Sequence, residues 1–359
     1  MHQDRRRTGM RAAVVASLVL AGCSAPPPAA PPSSQAPGPT DRVGALAQQA
    51  FVGIDKSWEI TSGFGSVWVS GFAGEMGDGT VTRVDPATNS ILATIPVSSN
   101  TGGIAADDTS LWIVDGEARA IREIDPATNA LTRRSIPIPG DGGSIVKGGG
   151  SLWFVGWDAI GPVDPATGTF TPVPQLGGCG DGCGFVAADD AVYKLSNDLL
   201  IKFDPARKQL LAKNSEDVTG SLLALGKNGL YAASSTASVA LLDLETLKVT
   251  QTFTAGSAIA DDGGKWTLGN APGAGGQSGH GALVADDTGT WVRFSPSIIG
   301  RVEPASATIR LYGPFPSEAD GASPILVAEG SLWVTNQGAG SGGADGGKPG
   351  IYRLALPTP

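Results

Sequence analysis

Three cysteines, two histidines and 34 carboxylates set the chemistry open to this chain of 359 residues. Cys179 and Cys183 stand four apart around Gly-Asp-Gly. That spacing suits a small disulfide loop in an oxidising compartment and supplies too few thiolates for a structural zinc site. His280 lies in Gly275-Gly276-Gln277-Ser278-Gly279-His280-Gly281 and is the one weak catalytic candidate, a base or ligand in partnership with carboxylates. No nucleophile elbow accompanies it, and the glycines lack the Gly-Lys-Ser/Thr ending of a phosphate loop. The pairs Asp107-Asp108, Asp189-Asp190 and Asp286-Asp287 read as hairpin turns, with a divalent metal such as Ca or Mg as the alternative. Trp157 beside Asp158 can stack on a cationic ligand or pack against a neighbouring loop.

The elements that must position these residues begin after an address segment. Arg5, Arg6, Arg7 and Arg11 precede an apolar run from Ala12 to Leu20, a charged region and a hydrophobic stretch too short to span a bilayer. The run ends in Leu20-Ala21-Gly22-Cys23, which resembles the lipobox of bacterial lipoproteins. The resemblance implies cleavage after residue 22 and lipidation of Cys23. His2 leaves with the signal. Between Ser24 and Thr40 there are seven prolines in 17 residues, so 23–43 reads as a lipidated cysteine on an extended, flexible stalk. A cysteine carrying two acyl chains anchors stably. The expected location is the extracytoplasmic face of the cell membrane. Cleavage leaves 21 basic and 33 acidic residues, a net charge of −12, against nucleic acid and in favour of a basic or cationic partner.

From 44 to 359 one unit recurs. Aromatic residues within apolar triplets stand at Trp68, Trp112, Trp153, Tyr193, Tyr231, Trp291 and Trp333, a period near 40 with one insertion of about 20. In step with them run Asp85-Pro-Ala-Thr88, Asp125-Pro-Ala-Thr128 and Asp164-Pro-Ala-Thr167, with eroded copies beginning at Asp204, Asp243 and Glu303. Asp accepts backbone N–H bonds, Pro presets φ, and Asn89, Asn129 and Gly168 tolerate left-handed φ, so each motif predicts a tight β-hairpin with a bulge. Flanking residues alternate apolar and polar as half-buried strands do. Four strands in about 40 residues match a propeller blade. The expected fold is all-β, a seven-bladed β-propeller of four-stranded antiparallel blades. The last copy lacks its outer strand, and Ala47 to Gly53 are expected to supply it and close the ring.

The Ser-Val/Leu-Trp strands at Trp68, Trp112, Trp153 and Trp333, with the Asp-Pro-Ala-Thr hairpins, resemble the bacterial YVTN-type repeat propellers and the related virginiamycin B lyase-like propellers. The second family implies a lyase that uses histidine and acidic residues with a divalent metal on one face of the ring. His280 is the one mature histidine, and no motif here lines up with the lyase's catalytic positions.

Propeller topology places the first and third hairpins on one face and all other connections on the opposite face. Three connections there are long: Gly71 to Thr80, Ala255 to Gly281 and Asn336 to Gly350. They fall in adjacent blades once the ring closes. The same face collects Glu75, Asp78, Glu117, Asp141, Asp158 and Asp345 against few bases such as Arg119 and Lys348. Ligand-binding candidates are therefore Glu75, Asp78, Trp157, Asp158, Asn336 and Asp345. The favoured reading is a monomeric, lipid-anchored binding module for an envelope protein or ligand. The alternative is a metal-assisted lyase or hydrolase using His280.

Overall fold

The computed structural model describes residues 43–55, 57–71, 78–180, 182–216, 218, 220–233, 238–255, 283–295, 298–313, 324–336 and 348–357. Cys23, Glu75, His280 and Asp345 lie outside the described residues.

The chain is built of β-strands. After β1 (Val43–Gly44) and β2 (Gln48–Gly53) come β3 (Ile60–Gly63), β4 (Ser66–Gly71), β5 (Gly79–Asp85) and β6 (Ser90–Val97), which pair in that order as one antiparallel sheet. A second sheet holds β7 (Thr101–Ala106), β8 (Leu111–Asp115), β9 (Ala120–Asp125) and β10 (Ala130–Pro137). The third comprises β11 (Gly143–Gly148), β12 (Ser151–Gly156), β13 (Ile160–Asp164) and β14 (Thr169–Phe170). The fourth comprises β15 (Gly184–Ala187), β16 (Val192–Ser196), β17 (Leu199–Asp204) and β18 (Gln209–Asn214). Two further runs of four follow. They are β19 (Leu222–Gly226), β20 (Gly229–Ala233), β21 (Ser238–Leu242) and β22 (Val249–Thr254), then β23 (Leu283–Asp286), β24 (Gly289–Ser295), β25 (Ile298–Glu303) and β26 (Thr308–Tyr312). A parallel bridge between Thr254 and Thr308 joins these two runs, and β1 lies parallel to β26 at Leu311 and Tyr312. The last sheet contains β27 (Ile325–Ala328), β28 (Ser331–Asn336) and β29 (Gly350–Ala355). Its fourth strand is β2, antiparallel to β29 with Phe51 opposite Tyr352.

The hairpin chemistry follows the motif. In the turn after β5, Asp85 Oδ1 accepts the Ala87 N–H at 2.8 Å, Oδ2 accepts the Thr88 hydroxyl at 2.7 Å, and Asn89 N–H returns to the Asp85 carbonyl. The fifth residue adopts left-handed φ in every copy: Asn89, Asn129, Gly168, Lys208, Leu247 and Ala307. Register shifts at Arg83/Val84, Leu131/Ser135 and Lys202/Phe203 are the expected bulges. The Thr88 hydroxyl holds the Asp85 carboxyl below its ordinary range. The Ala127 amide does the same at Asp125, and the Thr167 hydroxyl at Asp164.

Burial of the repeat's aromatics assembles the sheets. Trp68 packs with Ile104, Leu111 and Ile124 of the second sheet, and Trp112 with Ile145, Leu152 and Val163 of the third. Trp153 meets Phe185, Val192 and Phe203; Tyr193 meets Leu223 and Leu230; Tyr231 meets Leu283 and Val292; Trp291 meets Ile325 and Leu332. Trp333 packs with Val52, Ile60, Val67 and Val84 of the first sheet and its approach. Each first strand lies beside the next sheet's first strand, from β3 and β7 through to β23 and β27, and β27 also lies beside β3. Four-stranded antiparallel sheets stacked in this way form a β-propeller.

Candidate interaction site

Antiparallel order sends the β3–β4 and β5–β6 turns to one end of each sheet and the remaining connections to the other. Side-chain bonds keep these ends aligned between neighbours. Arg83 stacks on Trp68 at 4.8 Å, bonds Ser66 Oγ and the Phe64 carbonyl at its own turn, and reaches Pro126 O at 2.6 Å and Asn129 Oδ1 at 2.9 Å in the next sheet's hairpin. Arg353 repeats the device over Trp333, holding Ser331 Oγ, Pro86 O and Asn89 Oδ1.

At the opposite end the connections interlock through backbone groups. Gly116 N–H donates to Asn100 O at 2.7 Å, and the Asn100 side-chain amide donates to Asp141 O at 2.9 Å. Cys179 N–H donates to Gly156 O at 2.9 Å and Gly180 N–H to Trp157 O at 3.0 Å. Trp157 occupies a tight turn closed by Gly156 N–H to Ala159 O, and the residue is 53% exposed, whereas Trp68, Trp112, Trp153, Trp291 and Trp333 are buried. The indole lies against the connection carrying Asp141: a Cβ on Gly142 would stand 3.4 Å from its Cε2. Asp158 is exposed beside it, with Oδ2 facing Gly140.

Beneath Trp157 the connection from β14 to β15 is fixed from two sides. Cys179 and Cys183 form the disulfide expected from their spacing, with Cα atoms 5.1 Å apart. Lys194, buried on β16, donates from Nζ to Leu176 O at 2.7 Å and Gly178 O at 2.6 Å, and burial pulls its ammonium below the ordinary lysine range. The fit is close: a Cβ on Gly178 would stand 1.9 Å from Trp157 O. Lys194 carries a role that motif reading passed over. Its signal was a lysine in the triplet Val192-Tyr193-Lys194, at a position that is apolar in the other copies.

The sector where long connections were expected is partly described. Asp78 is exposed at the start of β5. Asn336 is fully buried at the end of β28; its side-chain amide donates to Lys348 O at 3.0 Å, and its backbone carbonyl accepts the Ser57 hydroxyl at 2.6 Å. Nearby, Arg293 is buried and donates to Thr335 O at 2.9 Å, and burial lowers its guanidinium to about 9. Glu59 is also buried, which pushes its carboxyl well above the usual range.

Members of two of the acidic pairs are engaged in hairpin turns, as expected. Asp107 accepts N–H bonds from Thr109 and Ser110 and the Trp112 indole N–H at 2.7 Å; burial alone would raise its carboxyl, and these bonds outweigh it and lower it. Asp108 pairs with Lys147 at 2.6 Å, and Asp286 caps its turn through Thr288 and Gly289. Among the described residues no group of three or more His, Cys, Asp or Glu converges.

No family model matches the chain, and none of the curated proteins does. Among solved structures, it is similar to BamB from Moraxella catarrhalis at 12% identity and a TM-score of 0.53, over 87% of this chain and 100% of that one. A likeness at that identity is one of fold, and with the stacked four-stranded sheets it places this chain among the β-propellers.

Proposed function

We propose that this protein is a lipid-anchored, extracytoplasmic interaction module, a seven-bladed propeller of the YVTN or virginiamycin B lyase-like type that presents an acidic connection face to a basic or cationic envelope partner. Residues 1–22 are the signal peptide, Cys23 the anchor, 23–43 the stalk and 44–359 the propeller, closed by β2 in the last blade and acting as a monomer. Packing of Trp333 on the first sheet and the reach of Arg353 to the hairpin at Pro86 support the closure. The lipobox-like Leu20-Ala21-Gly22-Cys23 supports the anchor.

The observation that carries the binding reading is Trp157, half exposed on a connection held by its neighbours' backbone amides, with exposed Glu117, Asp141 and Asp158 on the same face. Exposed aromatics on rigid supports are the usual anchors of protein interfaces. Asp107 and Asp286, members of two of the acidic pairs, are engaged in turns. Capture of envelope proteins by the wild type and by a Glu117→Gln, Asp141→Asn, Asp158→Asn variant tests the reading. The variant loses a partner that the wild type retains; identical partner sets would count against the acidic face.

A further inference from the structure

We infer that Trp157 and Asp158, with Asp141 on the adjoining connection, form one docking point for an arginine- or lysine-bearing segment of a partner protein, the cation lying on the exposed indole. This rests on the binding reading above and names the partner's chemistry.

Three observations place the parts together. The indole is exposed, and the 140–142 connection runs along it, with Gly142 against Cε2 and Gly140 against Asp158 Oδ2. Asp141, between those glycines, is exposed, and its backbone carbonyl is held by Asn100. The turn is pre-ordered from below by the Gly180 amide, the Cys179–Cys183 disulfide and the buried Lys194. Little conformational entropy is therefore lost when a ligand seats there. An exposed indole with a carboxylate next to it in its own turn and another on the adjoining connection favours a cation and disfavours an anionic bilayer. The chain's own Lys194 is committed to two backbone carbonyls rather than to these carboxylates. Arginine suits the geometry better than lysine, because its planar guanidinium stacks on the indole while its edges donate to carboxylates.

The test uses the full chain, purified from membranes in detergent with 5-fluorotryptophan at its eight tryptophans. The resonance lost in Trp157→Phe identifies Trp157. Titration with hexa-arginine at low salt moves that resonance, and the binding weakens as salt rises. Asp141→Asn with Asp158→Asn weakens it at least fivefold at an unchanged melting temperature. A stationary Trp157 resonance, with or without binding elsewhere, overturns this inference and leaves the wider loop-face reading intact. Equal affinity for arginine amide overturns it in favour of a small cation. Failure of the loop-face reading is seen separately, as identical partner sets in the capture experiment.

Discussion

Replacing Arg353 by methionine probes the seam between the last and first sheets while keeping the unbranched stem. Arg353 reaches Pro86 O and Asn89 Oδ1 across that seam, binds Ser331 Oγ at 2.8 Å and stacks on Trp333 at 5.2 Å. The two charge-assisted bonds across the seam at about 1.5 kcal/mol each and a cation–π contact near 1 kcal/mol sum to about 4 kcal/mol before screening. Arg353 is partly exposed, and solvent screening reduces this to about 2–3 kcal/mol. At roughly 2 °C per kcal/mol for a domain of this size, the melting temperature falls by about 4–6 °C. Arg83→Met, which removes the same bonds between the first and second sheets, supplies the matched control. Calorimetry reads both, and hydrogen exchange in Arg353→Met should rise at Ala87 to Asn89. A melting temperature within 1 °C of wild type for Arg353→Met, with Arg83→Met lowered, would refute the argument that the seam is held as the other junctions are.

Deleting residues 44–55 removes β2 and half of β1, and thermal stability should collapse; an unchanged melting temperature would show that the last sheet needs no fourth strand. The turn aspartates are lowered in the folded state, so their contribution is complete above the unfolded value of about 3.9 and disappears as pH falls through the folded values. Acid titration of Asp125→Asn should therefore show a shallower loss of stability below pH 4 than wild type. Glu59 has the opposite sign: its raised carboxyl binds a proton in the folded state, so stability declines as pH rises from about 4.3 through the folded value. The stability advantage of Glu59→Gln should grow between pH 4 and 8, and a difference constant with pH would refute burial as the cause. Serines at 179 and 183 should cost at most about 2 kcal/mol, the loop entropy of so short a ring, and raise exchange at Gly180.

The hairpins were legible because their chemistry is local: Asp, Pro and a left-handed fifth residue determine the turn within five positions, even where erosion left Leu247 or Ala307 in that place. The strand containing Trp112, Leu111–Asp115, was legible because an aromatic flanked by apolar residues marks its own burial. The Arg83 and Arg353 clasps were not legible. Each joins residues more than 40 positions apart, and Arg353 reaches back more than 260. Asn336 illustrates the limit for sites. As a polar residue at the edge of a glycine-rich connection it reads as accessible, but the strand carries it inward, where its amide holds Lys348 O. Trp157 was singled out for its neighbour Asp158, but the support that makes it rigid comes from Lys194 and the 174–180 segment, which packing brings beneath it.

The most direct test of the account places a photo-crosslinking residue at Asp158 on the connection face or at Ala127 in an Asp-Pro hairpin, both exposed, in the full chain in intact cells. The account predicts discrete protein adducts from position 158 and none from 127. Adducts from 127 alone, or the same adducts from both, would contradict it.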